Sequence, residues 1–181
     1  MNHLQTIFGE NDRVAIVVMY CNYKEQAEQT VSTLVASLLK QMVQDRRAIS
    51  NDVKTFYERH RRQSTRPTPD QITNALKSEI LTYSRVFVVV DALDECREDD
   101  GTRARLLKVL RSLGGIVNLL ITSRNLPSIA RDFRGTKCLY IRAKDDDIRK
   151  YVEGRVSLAP RHLEKLQETI VNRIIDNAKG M

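Results

Sequence analysis

Short apolar runs alternating with helix-period segments predict an α/β fold, a three-layer α/β/α sandwich around a parallel sheet. Three observations carry this. Val86-Phe-Val-Val-Val90 is a continuous run of β-favouring residues, as expected of a strand covered by helices on both faces. Val14-Ala-Ile-Val-Val-Met-Tyr20 and Ile116-Val-Asn-Leu-Leu-Ile-Thr122 are two further runs of that kind. After the first of these, Val31, Leu34, Val35, Leu38, Leu39, Met42 and Val43 fall on one face of a helix with unbroken spacing.

The elements follow in order. In His3-Leu-Gln-Thr-Ile-Phe8, residues Leu4, Ile7 and Phe8 have the spacing of a helix's last turns. The strand Val14–Tyr20 and the helix from Val31 come next. A polar, arginine-rich connector follows, with a short helix near Val53 to Tyr57. Thr68-Pro-Asp-Gln71 is a helix start: Thr68 at the N-cap, Pro69 at the first position, Gln71 closing a capping box. That helix points Ile72, Ala75, Leu76 and Ile80 inward and leads into Val86–Val90. Leu106, Leu107, Val109, Leu110 and Leu113 mark another helix, ended by Gly114-Gly115. The strand Ile116–Thr122 follows, and a short fourth strand is expected at Cys138 to Arg142. Asp145 to Asp147 suit the start of a helix with Ile148, Tyr151 and Val152 inside. Pro160 opens a final amphipathic helix bearing Leu163, Leu166, Ile170, Val171, Ile174 and Ile175.

With 181 residues the chain is long enough for one domain with a real core. No apolar run approaches the roughly 20 residues of a membrane helix. The start, Met1-Asn-His-Leu-Gln-Thr6, lacks the basic and apolar regions of a signal peptide. Cys21, Cys96 and Cys138 are far apart and form no CxxC pair, so neither a disulfide framework nor a zinc site is indicated. A reducing, cytoplasmic setting fits. His3, His60 and His162 are scattered and suggest neither a metal cluster nor a triad. The net charge of +7 concentrates in Arg46-Arg47 and in Arg59-His60-Arg61-Arg62, with Arg66 nearby. Such a patch can bind phosphate. No aromatic interleaving accompanies it, which favours a solvated connector over a nucleic-acid site.

Chemistry gathers at two strand ends. In open α/β sheets, ligands sit at the carboxyl ends of the strands. Val86–Val90 stops abruptly at Asp91, with Asp94 and Glu95 one turn on. An acid so placed can hold Mg²⁺ on a nucleotide: Asp91 through a water, with Asp94 or Glu95 orienting or deprotonating the attacking water. The small Ala92 leaves room beside phosphates. The third strand closes on Thr122-Ser123-Arg124. A hydroxyl from Thr122 or Ser123 can sense a phosphate, and Arg124 can neutralise transition-state charge. The plain alternatives are an acidic surface turn and an ordinary strand-to-loop turn.

The order of these motifs resembles a NACHT-type NTPase of the STAND class, and most of all the fungal NACHT proteins with a nephrocystin-type N-terminal domain. Val86-Phe-Val-Val-Val-Asp-Ala-Leu-Asp-Glu-Cys96 is similar to the family's Walker B, and Leu119-Leu-Ile-Thr-Ser-Arg124 to its sensor strand. Val14–Asn22 with Gln29-Thr30 resembles the strand and helix start between Walker A and Walker B. Asp145-Asp-Asp-Ile-Arg-Lys-Tyr-Val152 resembles the helix closing the nucleotide core, and Ile170 to Met181 a family helix ending in Gly-Met. The resemblance implies a P-loop NTPase-like core over residues 1–156 and the start of a helical region over 157–181. It implies ATP or GTP with Mg²⁺, nucleotide-driven oligomerisation, ankyrin or WD repeats in full-length relatives, and a role in fungal self/non-self recognition or cell death.

One family motif is missing. The sequence contains no G-x-x-x-x-G-K-[ST], the loop that cradles phosphates. The expectation is therefore a core that begins just after that loop, binds nucleotide weakly or not at all alone, and is hydrolytically incompetent alone. In this class the strand before the loop lies between the sensor strand and the last strand, so its absence leaves two apolar edges unpaired and the chain poorly stable. Self-association, or a decoy-like pairing with full-length NACHT proteins, is the alternative of another class. A basic nucleic-acid-binding module is the third.

Overall fold

The computed structural model describes residues 2–9, 11–44, 49–142, 144–156 and 166–178. The first unit, residues 1–134, is built on a parallel sheet of three strands. Its elements are α1 (Asn2–Phe8), β1 (Val14–Tyr20), α2 (Val31–Gln44), α3 (Asn51–Gln63), α4 (Pro69–Ile80), β2 (Arg85–Asp91), α5 (Thr102–Arg111), β3 (Val117–Ile121) and α6 (Pro127–Asp132). β2 lies between β1 and β3, with Val17 opposite Val88 and Val88 opposite Leu119. This is the incomplete α/β/α sandwich that the alternation of runs predicts.

Strand alternation divides the sheet into two faces. Ala15, Val17 and Met19 of β1 join Val86, Val88 and Val90 of β2 on one face. Leu34, Val35, Leu38 and Met42 from α2, Leu76 and Ile80 from α4, and Leu106 and Leu110 from α5 cover them. Burying each such valine contributes roughly 1.5–3 kcal/mol. The opposite face is thinner. Phe87 and Val89 are only half-buried, and Phe8 of α1 stacks on Phe87 with ring centroids 5.2 Å apart. The expectation that β2 is fully covered on both faces is corrected: one face is sealed and the other is partly open.

The capping box opening α4 forms as expected. Gln71 N–H donates to the Thr68 hydroxyl at 3.3 Å, and Thr68 N–H donates to Gln71 Oε1 at 2.8 Å. α3 is longer than the short helix expected near Val53 to Tyr57, because Ser50 caps it and Phe56 packs on the core. Its last turn holds His60, Arg61 and Arg62, where positive charge suits the carbonyl end of a helix dipole. Arg62 pairs with Glu58 at 2.8 Å. The basic run is thus the solvated end of a helix rather than part of an irregular connector. Arg46 and Arg47 lie outside the described residues.

The two sheet edges are treated differently. Along the outer edge of β1, Gln41 of α2 accepts from Val18 N–H at 2.8 Å and donates to Val18 C=O at 2.7 Å. Gln29 accepts from Asn22 N–H at 3.0 Å and donates to Tyr20 C=O at 3.1 Å. These two amides take up backbone groups that another strand would otherwise pair with. Among the described residues no strand pairs with the outer edge of β3. Leu119 is 37% exposed and Leu120 57% exposed beside it.

Residues 135–181 form the second unit. The fourth strand expected at Cys138 to Arg142 is absent; this stretch has no regular structure, and Leu139, Tyr140 and Ile141 are exposed. β propensity makes a strand only where a neighbour takes the backbone groups, and no described strand does so here. Within this unit α7 (Asp145–Val156) and α8 (Gln167–Ala178) pack through Val152 and Val171, with Ile148 against them. Tyr151, expected inside, is exposed at 66%, as are Leu166 at 51% and Ile174 at 40%. Two helices alone cannot cover a wide apolar stripe, so only its centre is buried. Pro160 and Leu163 lie outside the described residues. No described helix is long and apolar enough to cross a membrane.

Gln41→Ala strips both amide bonds from Val18 on a strand otherwise well buried. Urea unfolding is expected to show a loss of about 1–3 kcal/mol with an unchanged slope. A loss below about 0.5 kcal/mol would show that water replaces the amide at no cost.

Candidate functional site

Parallel pairing puts the C-terminal ends of β2 and β3 side by side, because Val90 stands opposite Ile121. The next residues, Asp91 and Thr122, then meet. The Thr122 hydroxyl donates to Asp91 Oδ1 and accepts from Ala92 N–H, the latter at 3.0 Å. Leu93 N–H donates to Thr122 C=O at 3.0 Å. One threonine therefore ties the acid and the first two amides after it to the neighbouring strand.

Ala92 has φ 54° and ψ 49°, in the left-handed region. A β-branched or bulky residue there would be strained, so backbone geometry is a second reason for a small residue at this point. The bend turns the chain into a short 3₁₀ turn, Leu93–Glu95. Leu93 and Cys96 bury themselves in the core, leaving Asp94 and Glu95 on the polar side.

Asp94 and Arg124 form an ion pair, Nε to Oδ2 at 2.5 Å, and Arg124 N–H donates to Oδ1 at 3.0 Å. The Asp94 side chain is 4% exposed while that of Arg124 is 77% exposed. Burial pushes the Asp94 carboxyl up. The bonds from Arg124 and from the turn's own backbone outweigh this and hold it below the usual carboxylate range. Asp94 in turn holds the Arg124 guanidinium above its ordinary value. A carboxylate so stabilised is a weak base, better at orienting a ligand than at taking its proton.

Glu95 turns the other way. Its Oε2 accepts from Tyr23 N–H at 3.1 Å, and its carbonyl accepts from the Gln26 amide at 2.8 Å. It fastens the acidic turn to the connector between β1 and α2. The Ser123 hydroxyl is used locally, on Arg124 C=O at 2.7 Å. Of the six residues singled out by sequence, Asp91, Thr122, Asp94 and Arg124 thus meet in two bonded pairs. Glu95 lies beside them facing the connector, and the Ser123 hydroxyl bonds its neighbour Arg124 C=O. Tyr23 and Gln26 were missed by sequence reasoning, since a backbone amide and a surface glutamine carry no motif.

A depression of about 670 Å³ is lined by Gln5, Thr6, Asn11 and Arg13 among others. It opens at the N-terminal end of β1, opposite the acids. Among the described residues, no group of three His, Cys, Asp or Glu is placed to hold a metal ion.

Compared with known proteins, residues 1–124 match the family described as Nephrocystin 3, N-terminal. No curated protein matches the chain.

Removing the guanidinium isolates Asp94 in its buried setting. Its carboxyl titrates below the ordinary value of about 3.9 in the parent chain, and Arg124→Ala is expected to move it upward. Because the folded value is depressed, the pair's stabilisation is present above the unfolded value and is lost as pH falls through the folded one. Carboxyl NMR titration of both chains checks this. An unmoved Asp94 signal in Arg124→Ala would rule out the pair as the cause.

Proposed function

The chain belongs to the nephrocystin 3 N-terminal family, and on that premise we propose that it is part of the nucleotide-binding core of a NACHT-type, STAND-class signalling NTPase of the fungal kind. The observation that carries this reading is the junction of Asp91 with Thr122 across the carboxyl ends of two adjacent parallel strands. Open α/β sheets bind ligands at that end. The 181 residues contain no Gly-Lys-Ser/Thr phosphate loop, so the phosphate cradle must be supplied from outside them.

In this reading Asp91 would hold, through a water, the Mg²⁺ that accompanies ATP or GTP. One of its oxygens is already engaged by Thr122. Among the described residues no group of three His, Cys, Asp or Glu is placed around a metal, and Asp91 suits an ion whose remaining ligands are phosphates and waters. Mg²⁺ would supply charge neutralisation at the phosphates. Asp94 orients the attacking water, held in place by Arg124. Arg124, largely exposed beside Asp94, would also help neutralise charge developing on the phosphate. Glu95 positions the turn through Tyr23 and Gln26 and has no direct contact with the phosphates.

Calorimetry with MgATP and MgGTP tests this on the chain alone and on the longest translation product of its locus. Micromolar binding is expected only where a Gly-Lys-Ser/Thr loop is present. There, Asp91→Asn should cut hydrolysis by about 100-fold. Micromolar binding by the chain alone, indifferent to Asp91→Asn, would sink the reading.

A second reading rests on the edge of β3, which no strand pairs with among the described residues. With β1 closed by two glutamines and β3 left open, the chain can add to the sheet of a full-length NACHT-type relative as a non-catalytic partner. Co-purification with such a relative should survive Asp91→Asn and be lost with Leu120→Lys, which sets a charge on the exposed edge. Loss with Asp91→Asn and retention with Leu120→Lys would reverse the assignment.

A further inference from the structure

The basic run Arg59-His60-Arg61-Arg62 has no part in the reading above. It closes α3, and Gln63, Ser64 and Thr65 follow it. Ser64 caps the carbonyl end of the helix with φ 49° and ψ 35°, in the left-handed region. Its N–H donates to Arg61 C=O at 3.3 Å, and Thr65 N–H donates to His60 C=O at 3.1 Å. Glycine is the usual residue in such a cap, because a Cβ is strained there. The cap geometry therefore gives no reason for a serine at this place.

The hydroxyls around this corner are divided. Thr65 Oγ1 is hydrogen-bonded with His60 Nδ1 at 2.9 Å, and Thr68 Oγ1 accepts from Gln71 N–H at 3.3 Å. Among the described residues the Ser64 hydroxyl makes no hydrogen bond, and the residue is exposed. The arginines two and three places before it, Arg62 and Arg61, are exposed as well. Arg62 pairs with Glu58 across one helical turn, but the two side chains are 78% and 57% exposed, so that pair is weak and readily exchanged. Arg61 makes no ion pair among the described residues. A free hydroxyl with two available guanidinium groups just upstream fits the substrate cleft of a serine kinase lined with carboxylates.

We propose that Ser64 is a phosphorylation site, the acceptor for a basophilic serine kinase that docks on Arg61 and Arg62. The kinase brings its own MgATP, and Ser64 Oγ attacks the γ-phosphorus. The bond from that phosphorus to the β–γ bridging oxygen breaks, ADP leaves, and the serine proton passes to a carboxylate of the kinase. A helix end opens more readily than a helix interior into the extended form a cleft needs, and residues 65–68 beyond it have no regular structure. The phosphoserine carries about two negative charges, so the formal net charge falls from +7 to about +5. The phosphate then stands at the carbonyl end of α3, where the helix dipole repels it. Arg61, Arg62 and Arg66 become its counter-ions, and the basic run is closed to other anions.

The test incubates the folded chain with MgATP and the catalytic subunit of a cyclic-AMP-dependent protein kinase, which reads arginines at these two places. Intact mass and peptide mapping are expected to show one phosphoryl group, carried by residue 64. Arg61→Ala and Arg62→Ala should each lower kcat/KM for this transfer by about tenfold, the loss of one charge-assisted contact. Ser64→Gly suits the left-handed backbone, so it keeps the fold and should take up no phosphate at this corner. A peptide of residues 57–70 serves as the unfolded reference. If the peptide is modified while the folded chain is not, if the phosphate goes to Thr65 instead, or if both arginine variants are modified as fast as the parent, the proposal is overturned.

Discussion

The register between β2 and β3 governs most of what is chemically distinctive in this molecule. Parallel strands end at the same side of a sheet, so a match of Val90 with Ile121 forces Asp91 and Thr122 to meet. A slip of one residue would send every side chain of β3 to the opposite face. Val117 and Ile121 now pack against the core and would then be turned away from it. Core packing and site geometry are therefore one constraint. The bond between Thr122 and Ala92, and that between Leu93 N–H and Thr122 C=O, extend the ladder past the strands and carry it into the acidic turn.

Much of the fold was legible because it depends on local pattern. Apolar runs of strand length gave β1, β2 and β3 within a residue or two, and heptad-like spacing gave α2. The Thr68–Gln71 capping box was readable because both of its bonds lie within four residues. Failures came where a neighbour decides the outcome. Cys138 to Arg142 has strand composition but no ladder partner among the described residues. Tyr151 has the spacing of an inward residue but no surface to cover it within its own unit. At the site, the acids and Thr122-Ser123-Arg124 announced themselves by position after an apolar run. The glutamines that organise the surroundings did not. Gln29 is noticed in sequence only as part of a helix start and Gln41 not at all, until their amides are seen against β1.

The acidic turn also shows how one short sequence is divided among tasks. Leu93 and Cys96 anchor it in the core, Asp94 faces Arg124, and Glu95 faces the β1–α2 connector. Three residues on a single 3₁₀ turn can point in three directions because side chains there step by about a third of a revolution. The left-handed Ala92 sets the phase of that turn. Spacing in the sequence shows that two acids are near Asp91. Only the turn's phase shows that one is paired with a cation and the other is committed to structure.

Charge bounds what this cluster can do. Among the described residues, the one ion pair made by Asp91, Asp94 and Glu95 is that of Asp94 with Arg124. A polyphosphate brought to such a surface meets repulsion, and the chain's overall positive charge does little to offset it beyond a Debye length of about 8 Å. The acids become favourable neighbours of phosphate only when a divalent cation stands between them. In the proposed reading these strand ends serve the metal and water side of a nucleotide rather than its phosphates. A cluster with this balance needs a separate cationic, amide-rich partner surface before a nucleotide can be held, whichever polypeptide segment supplies it.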